Sequence, residues 1–230
     1  MKKIFLTTTA VFLMIALFAQ QVAKITLGTT GALETLSIAI DDGVIIHLSE
    51  DGSIAKFGLE PYNIRTEGFG DYTDRLDPYT GRVEYFTPND NEAFRGKVKY
   101  IGKTPITYYA SYDEEALRGK IKSIGVSLVG YYQAFEDKAF KGKLKNIGST
   151  QFSYYSSFDN EGFRGKLKTV GVINLTYFTT YDDKLFGGKI KSIGNFNYTY
   201  YSSFDRIEYR GARKSGQPIQ YINGIKFYVK

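Results

Sequence analysis

From Arg95 onward, short runs in which apolar and polar residues alternate come back every 23 residues. RGKVKYIG begins at Arg95, RGKIKSIG at Arg118, KGKLKNIG at Lys141, RGKLKTVG at Arg164 and GGKIKSIG at Gly187, and a decayed sixth copy, RGARKSG, begins at Arg210. A fixed period of this size marks one supersecondary unit stacked many times. In the copy from Lys141 to Phe163, Lys143 and Lys145 flank Leu144, which predicts a strand with one wet face. Ile147 breaks the alternation and predicts the end of that strand or a bulge; Gly148 and Ser149 predict the turn. The second strand is expected from Gln151 to Phe158, with Phe152, Tyr154, Ser156 and Phe158 on one face and Ser153, Tyr155 and Ser157 on the other. Asp159 to Gly162 then form the loop back, and Phe163 folds over the sheet.

The other copies follow the same layout. One face of the second strand carries Ile106 and Tyr108, Val129 and Tyr131, Phe152 and Tyr154, Leu175 and Tyr177, Tyr198 and Tyr200. The opposite face carries Tyr109, Tyr132, Tyr155, Phe178 and Tyr201, so both faces are expected to hold ring surface. Each unit reads as a β-hairpin. The fold expected is all-β: an elongated antiparallel sheet of tandem 23-residue hairpin repeats, about ten strands and on the order of 50 Å long. A β-solenoid with one coil per repeat is the competing architecture, but the Gly-containing turn is short enough to join antiparallel neighbours directly.

Before Arg95 the period is absent. LSIAI, Asp41, Asp42 and Gly43, VIIHLS, Glu50, Asp51 and Gly52, then SIAKFG predict a three-stranded meander with two Asp-Gly turns, placed to cap the array. Pro61 to Asp77 read as a connecting loop, and TGRVEYF from Thr80 reads as a degenerate precursor of the repeated phrase. The resulting division is a signal peptide over 1–19, a β cap and connecting loop over 20–94, and the repeat array with a C-terminal capping strand over 95–230.

Composition agrees with a β protein: 20 Tyr, 17 Phe and 24 Gly against 5 Pro and no Trp. Lys2 and Lys3 precede an apolar stretch from Ile4 to Phe18, with cleavage expected after Ala19, the layout of a secretory signal. An uncleaved anchor is the alternative. Removing Lys2 and Lys3 leaves 28 basic and 24 acidic side chains, a net charge of +4. That mild excess is not the footprint of a nucleic-acid binder. With no cysteine in an exported chain, stability must come from strand pairing and packing.

Two repeated features are candidate sites. Lys97, Lys120, Lys143, Lys166 and Lys189, with Lys99, Lys122, Lys145, Lys168 and Lys191 two residues on, form rows suited to an anionic polymer; the bland alternative is a solvated face, with Asp113, Glu136, Asp159, Asp182 and Asp205 neutralising the rows. Tyr109, Tyr132, Tyr155, Phe178 and Tyr201 form a line on which sugar rings stack, or else pack under the loops against Leu117, Phe140, Phe163, Phe186 and Tyr209. His47, the only histidine, has no Cys or second His beside it, so no metal or catalytic role is expected. Loops such as Asp182 and Asp183 lack the dense oxygen alternation of calcium sites.

The phrase GKLK or GKIK followed by Gly, with a Tyr-Tyr pair and a period near 23, resembles MORN-type repeats, in the bacterial variant seen in MORN-like antitoxin proteins. The likeness covers Arg95 to about Gly216 and lacks the Trp and second Gly pair of the usual pattern. It implies a curved hairpin sheet for binding or scaffolding, with no catalytic residues to carry over. No nucleophile motif or phosphate loop appears, and catalytic sites are singular where these polar residues are repeated, so neither an enzyme nor a cofactor is expected. The function read from the sequence is an exported, periplasmic or surface-exposed binding or structural module. Its candidate partners are a glycan or anionic envelope polymer, or a protein, with no nucleic acid and no membrane span after signal cleavage. An outer-membrane β-barrel is the alternative.

Overall fold

The computed structural model describes residues 21–61 and 74–230. The expected signal segment and most of the Pro61 to Asp77 connection lie outside them. The described residues form two β-sheets. One is the array, eleven strands in unbroken sequence order. It begins with β5 (Val83–Tyr85) and continues through hairpins β6 (Val98–Ile101) with β7 (Thr104–Tyr108), β8 (Ile121–Ile124) with β9 (Ser127–Tyr131), and β10 (Leu144–Ile147) with β11 (Thr150–Tyr154). Next come β12 (Leu167–Val170) with β13 (Ile173–Tyr177), and β14 (Ile190–Ile193) with the short β15 (Phe196–Asn197). The decayed copy supplies β17 (Arg213–Ser215), which pairs with β16 (Thr199–Tyr200). The pairings are antiparallel hairpins, not solenoid coils, and the sheet is open, with β5 and β15 at its two ends, so the barrel alternative is not the architecture. No helix among the described residues is long and apolar enough to cross a membrane.

Two local devices set the register. Ile147 pairs with Thr150, so Gly148 and Ser149 make a two-residue turn, and the turn glycines at 102, 125, 148, 171 and 194 all take φ of 54° to 58°. Such turns place a glycine at positive φ, and their twist matches that of the flanking strands. The second device is a bulge. The register shifts between Leu144 and Asn146 opposite Tyr131 and Gly130, and at the matching place in the other repeats. A bulge inserts one extra residue, here Lys145, and so Leu144 and Ile147, three apart, both point inward. That is the physical content of the broken alternation in the sequence.

TGRVEYF is not a precursor of the lysine phrase. Tyr85 and Phe86 lie 23 residues before Tyr108 and Tyr109, so the segment is a copy of the tyrosine-pair strand and opens the sheet as β5. Phe86 meets Phe94 at 4.6 Å as Tyr132 meets Phe140 and Tyr155 meets Phe163.

The second sheet has six strands: β1 (Gln21–Leu27), β2 (Leu33–Ala39), β3 (Val44–Leu48) and β4 (Ile54–Leu59) in a four-stranded meander, joined on the far side of β1 by the C-terminal hairpin β18 (Ile219–Ile222) and β19 (Ile225–Val229). β19 runs parallel to β1, with Ile25 opposite Phe227. The meander was expected to cap the end of the array; instead it lies across the array's inner face. Leu27, Leu36, Ile38, Ile46, Leu48 and Phe227 share one buried cluster with Ile124, Leu144, Leu167, Leu175 and Ile193. The reason is area: one chain edge needs covering at the end of a sheet, but a whole apolar face needs covering along it. The meander's turns touch the array directly, Glu50 O accepting from Leu144 N at 3.1 Å and Asp41 accepting from Thr104 Oγ1 at 3.1 Å.

In each lysine phrase the leading glycine is also at positive φ, 72° at Gly165, and a Cβ there would sit 2.6 Å from the Ala139 carbonyl oxygen of the previous repeat. Gly171, at φ 56°, has open space around it. Gly165→Ala is expected to lower stability by at least about 2 kcal/mol, and Gly171→Ala by about 1 kcal/mol from the backbone conformation alone. Urea unfolding of the two variants checks this, and equal losses contradict it.

Candidate functional site

The first lysine row is a structural ladder. Lys120 Nζ donates to Gly142 O at 2.9 Å, Lys143 to Gly165 O at 2.6 Å and Lys166 to Gly188 O at 2.8 Å; Lys97 and Lys189 make the same bond to Gly119 and Gly211. Each ammonium thus reaches the left-handed glycine one repeat ahead. Each also lies over the inner tyrosine of its own repeat unit, from 4.7 Å at Tyr131 to 5.5 Å at Tyr177. Three of them tie the sheets together as well: Lys120 donates to Asp51 O at 3.1 Å, Lys166 to Thr30 O at 2.6 Å, and Lys143 pairs with Glu50 at 3.0 Å. Burial lowers the pKa of Lys97, Lys120 and Lys189 and brings Lys166 down to about 8. These cations are engaged in the fold and do not form a free surface for a polyanion.

The second row stands at the bulges. Lys122, Lys145, Lys168 and Lys191 are exposed, and their ammonium groups lie 5.0 to 5.5 Å from the rings of Tyr109, Tyr132, Tyr155 and Phe178. Those rings, with Tyr201, are the expected stacking line, and the structure packs them instead. Tyr132 meets Phe140 at 4.6 Å, Tyr155 meets Phe163 at 4.6 Å, Phe178 meets Phe186 at 5.2 Å and Tyr201 meets Tyr209 at 5.4 Å. Tyr155 also contacts Tyr177 of the next repeat at 5.8 Å, so the second ring of each pair closes the end of the core between neighbouring repeats. The hydroxyls of Tyr132 and Tyr155 donate to Phe152 O and Leu175 O, both at 2.9 Å.

The recurrent acids do not neutralise the lysine rows, Glu136 with Lys145 at 3.0 Å excepted. They tie off their own loops: Asp159 accepts from Ser156 N at 2.6 Å and Ser156 Oγ at 2.9 Å, and Asp113, Asp182 and Asp205 accept the equivalent amides. These bonds hold the Asp182 and Asp205 carboxyls below the usual carboxylate range. A second ladder staples loop to loop, Asp137 accepting from Ser157 N at 2.9 Å and Asp183 from Ser203 N at 2.8 Å. Among the described residues no three His, Cys, Asp or Glu side chains gather as a metal site would require.

Between the tie residues each loop presents one ring outward. Tyr112, Phe135, Phe158, Tyr181 and Phe204, one per repeat, are between 84% and 95% exposed. Phe158 was expected on the inner face, but β11 ends at Tyr154 and the Ser156–Asp159 turn swings the ring out of the sheet. Beside this file, Arg118, Arg164 and Arg210 donate through Nε to the carbonyls of Asp113, Asp159 and Asp205 at 2.7 to 3.0 Å, which fixes an exposed guanidinium next to the ring. With two strands per repeat, successive rings stand roughly 10 Å apart. The signal in the sequence was an aromatic directly before the loop acid in all five copies.

His47 is fully buried on the six-stranded sheet, and neither ring nitrogen has a hydrogen-bond partner. Burial, then the charges of Lys24 and Lys56, push its pKa down to about 4. No protein-family model, curated protein or solved structure matches the chain.

Two outcomes follow from these environments. Lys166→Met strands two carbonyl oxygens and is expected to cost about 1 to 3 kcal/mol, whereas Lys168→Met stays within about 0.5 kcal/mol, as paired urea melts can show. His47 is neutral when folded and takes a proton more readily when unfolded, so its contribution is intact above pH 6.5 and is lost as the pH falls toward 4. A loss on the order of 3 kcal/mol is expected across that window and is absent in His47→Leu.

Proposed function

We propose that this protein is an exported, non-enzymatic binding protein of the cell envelope, whose repeat array engages a glycan or an anionic polymer along its loop edge. The observation that carries the reading is the file of outward rings at Tyr112, Phe135, Phe158, Tyr181 and Phe204. A large aromatic left almost wholly in water at the same place in five repeats serves no packing purpose, since the core is closed by other rings. A ring face takes a sugar face by stacking, and the neighbouring guanidinium takes a carboxylate or phosphate on the same polymer. The loops are rigid through their Ser–Asp and loop-to-loop bonds, so little ordering cost accompanies binding. A spacing of about 10 Å is close to the span of two linked sugar residues, so a polymer can meet several repeats together and gain avidity. The resemblance to MORN-type repeats points to binding or scaffolding in the same way. The N-terminal segment with its lysines and apolar run supports export.

The experiment replaces Phe135, Phe158 and Tyr181 together by Ala in the mature chain. The melting temperature is expected to stay within about 2 °C, because the rings contribute no core contact, while retention on an acidic-glycan array falls at least tenfold. Unchanged retention on glycans that the parent protein binds removes the loop edge as the site. Failure of the parent protein to bind any glycan, with capture of an envelope protein that depends on the same three rings, replaces the glycan by a protein partner.

A further inference from the structure

The six-stranded sheet has a second face, turned away from the array, and its centre is polar. Cross-strand register places Tyr221 beside Lys226, Lys226 beside Lys24, Lys24 beside Ser37, Ser37 beside His47 and His47 beside Lys56, one row over all six strands. Lys24, Ser37 and His47 are buried, at 6%, 0% and 0% exposure. The chain from Asp74 to Asp77 crosses over them: Asp74 accepts from Lys24 Nζ at 3.2 Å and Thr26 Oγ1 at 3.1 Å, and its carbonyl accepts from Lys56. Beneath this strap lies a cavity of about 160 Å³, lined by Lys24, Ser37, His47, Glu60, Arg75 and Lys226 among others, with the exposed Tyr221 at its rim.

Three polar atoms at the floor, Ser37 Oγ and both ring nitrogens of His47, have no partner. Leaving such groups unsatisfied in a buried site is costly, and apolar residues in their place are the cheaper solution for a sheet face. The charges around the cavity are unbalanced. Lys24, Lys56, Arg75 and Lys226 face it against Asp74 and Glu60, and the pairs that Lys226 makes with Glu60 and Arg75 with Asp77 are long, at 3.6 and 3.9 Å. The neutral imidazole offers one donor and one acceptor, and the serine hydroxyl a further donor. A ligand that meets all of these carries one negative group for the cations and the serine, and a hydroxyl for the imidazole. We infer that this face holds a binding site for a small hydroxylated carboxylate, no larger than a single acidic sugar. The site is singular, lies on the other sheet from the loop edge, and stands or falls separately from binding there.

Because His47 is the only histidine, its imidazole signals report on the site without ambiguity. The mature chain is titrated at pH 7 with lactate and with glucuronate while the imidazole ¹H–¹⁵N resonances are followed, with glucose and inorganic phosphate as controls. A saturable shift is expected with at least one hydroxy acid at millimolar concentrations, and none with glucose or phosphate. Ser37→Ala, which removes a buried hydroxyl without a partner, is expected to keep its melting temperature and to weaken the hydroxy acid roughly tenfold. Resonances that stay still for every probe overturn the proposal, as does a glucose or phosphate shift equal to that of the hydroxy acids. An affinity unchanged in a folded Ser37→Ala protein overturns the assigned geometry. If that variant fails to fold, the titration of the parent protein still decides.

Discussion

An open sheet of eleven strands with one apolar face cannot stand alone in water, and the rest of the molecule answers that constraint. The inner file of Ile, Leu, Val, Phe and Tyr is repeated without interruption from Ile106 to Tyr200, so burial must be continuous along the array. Six strands drawn from both ends of the described chain supply the cover, closed by parallel pairing of β1 with β19. This coupling makes the array cooperative with its cover. A solenoid of independent repeats gains stability mostly from its neighbours, whereas here Lys120, Lys143 and Lys166 also bond to the meander's turns, so the middle repeats are held from two directions.

Within the array, the bulge and the two glycines belong to one device. The bulge brings two apolar residues three apart onto the inner face, and the leading glycine turns the chain so that its carbonyl meets the lysine of the repeat before. That lysine would be expensive to bury without the bond, and its position over a tyrosine ring gives the charge a second compensating contact. Charge is therefore spent on register between repeats, which is why the array stays straight in sequence order without disulfides.

The period, the hairpins, the turn glycines and the inner tyrosines were all legible, because each depends on side chains within one repeat. The roles of the charged residues were not, since a lysine that bonds a carbonyl 22 residues away looks, locally, like a solvated lysine. A signal was nevertheless present: a glycine always stands 22 residues after the lysine, wherever the phrase is intact. Phe158 was misplaced by carrying strand alternation past Tyr154. Ser156 and Asp159, three apart, are the spacing by which a side chain captures a turn amide, and that spacing ends the strand. The cover sheet was only half legible, because the partner of β1 lies some 200 residues away and no local pattern announces a parallel pairing. The row through Ser37 and His47 depends on register over six strands and could not be read before the sheet was assembled.

The two sheets are therefore suited to different kinds of recognition. Repetition multiplies a weak contact: a single exposed ring holds a sugar poorly, and five rings on rigid loops hold a polymer through effective concentration rather than through any one contact. A singular polar cavity has no such help and must obtain its affinity from enclosure and from satisfying buried groups that water meets imperfectly. The array's outer surface tolerates drift in one repeat, as the replacement of Arg by Lys141 and Gly187 at the head of two phrases shows. The Ser37–His47 face has no spare copy. A substitution there removes the whole constellation, while the same substitution in a loop of the array removes a fifth of it.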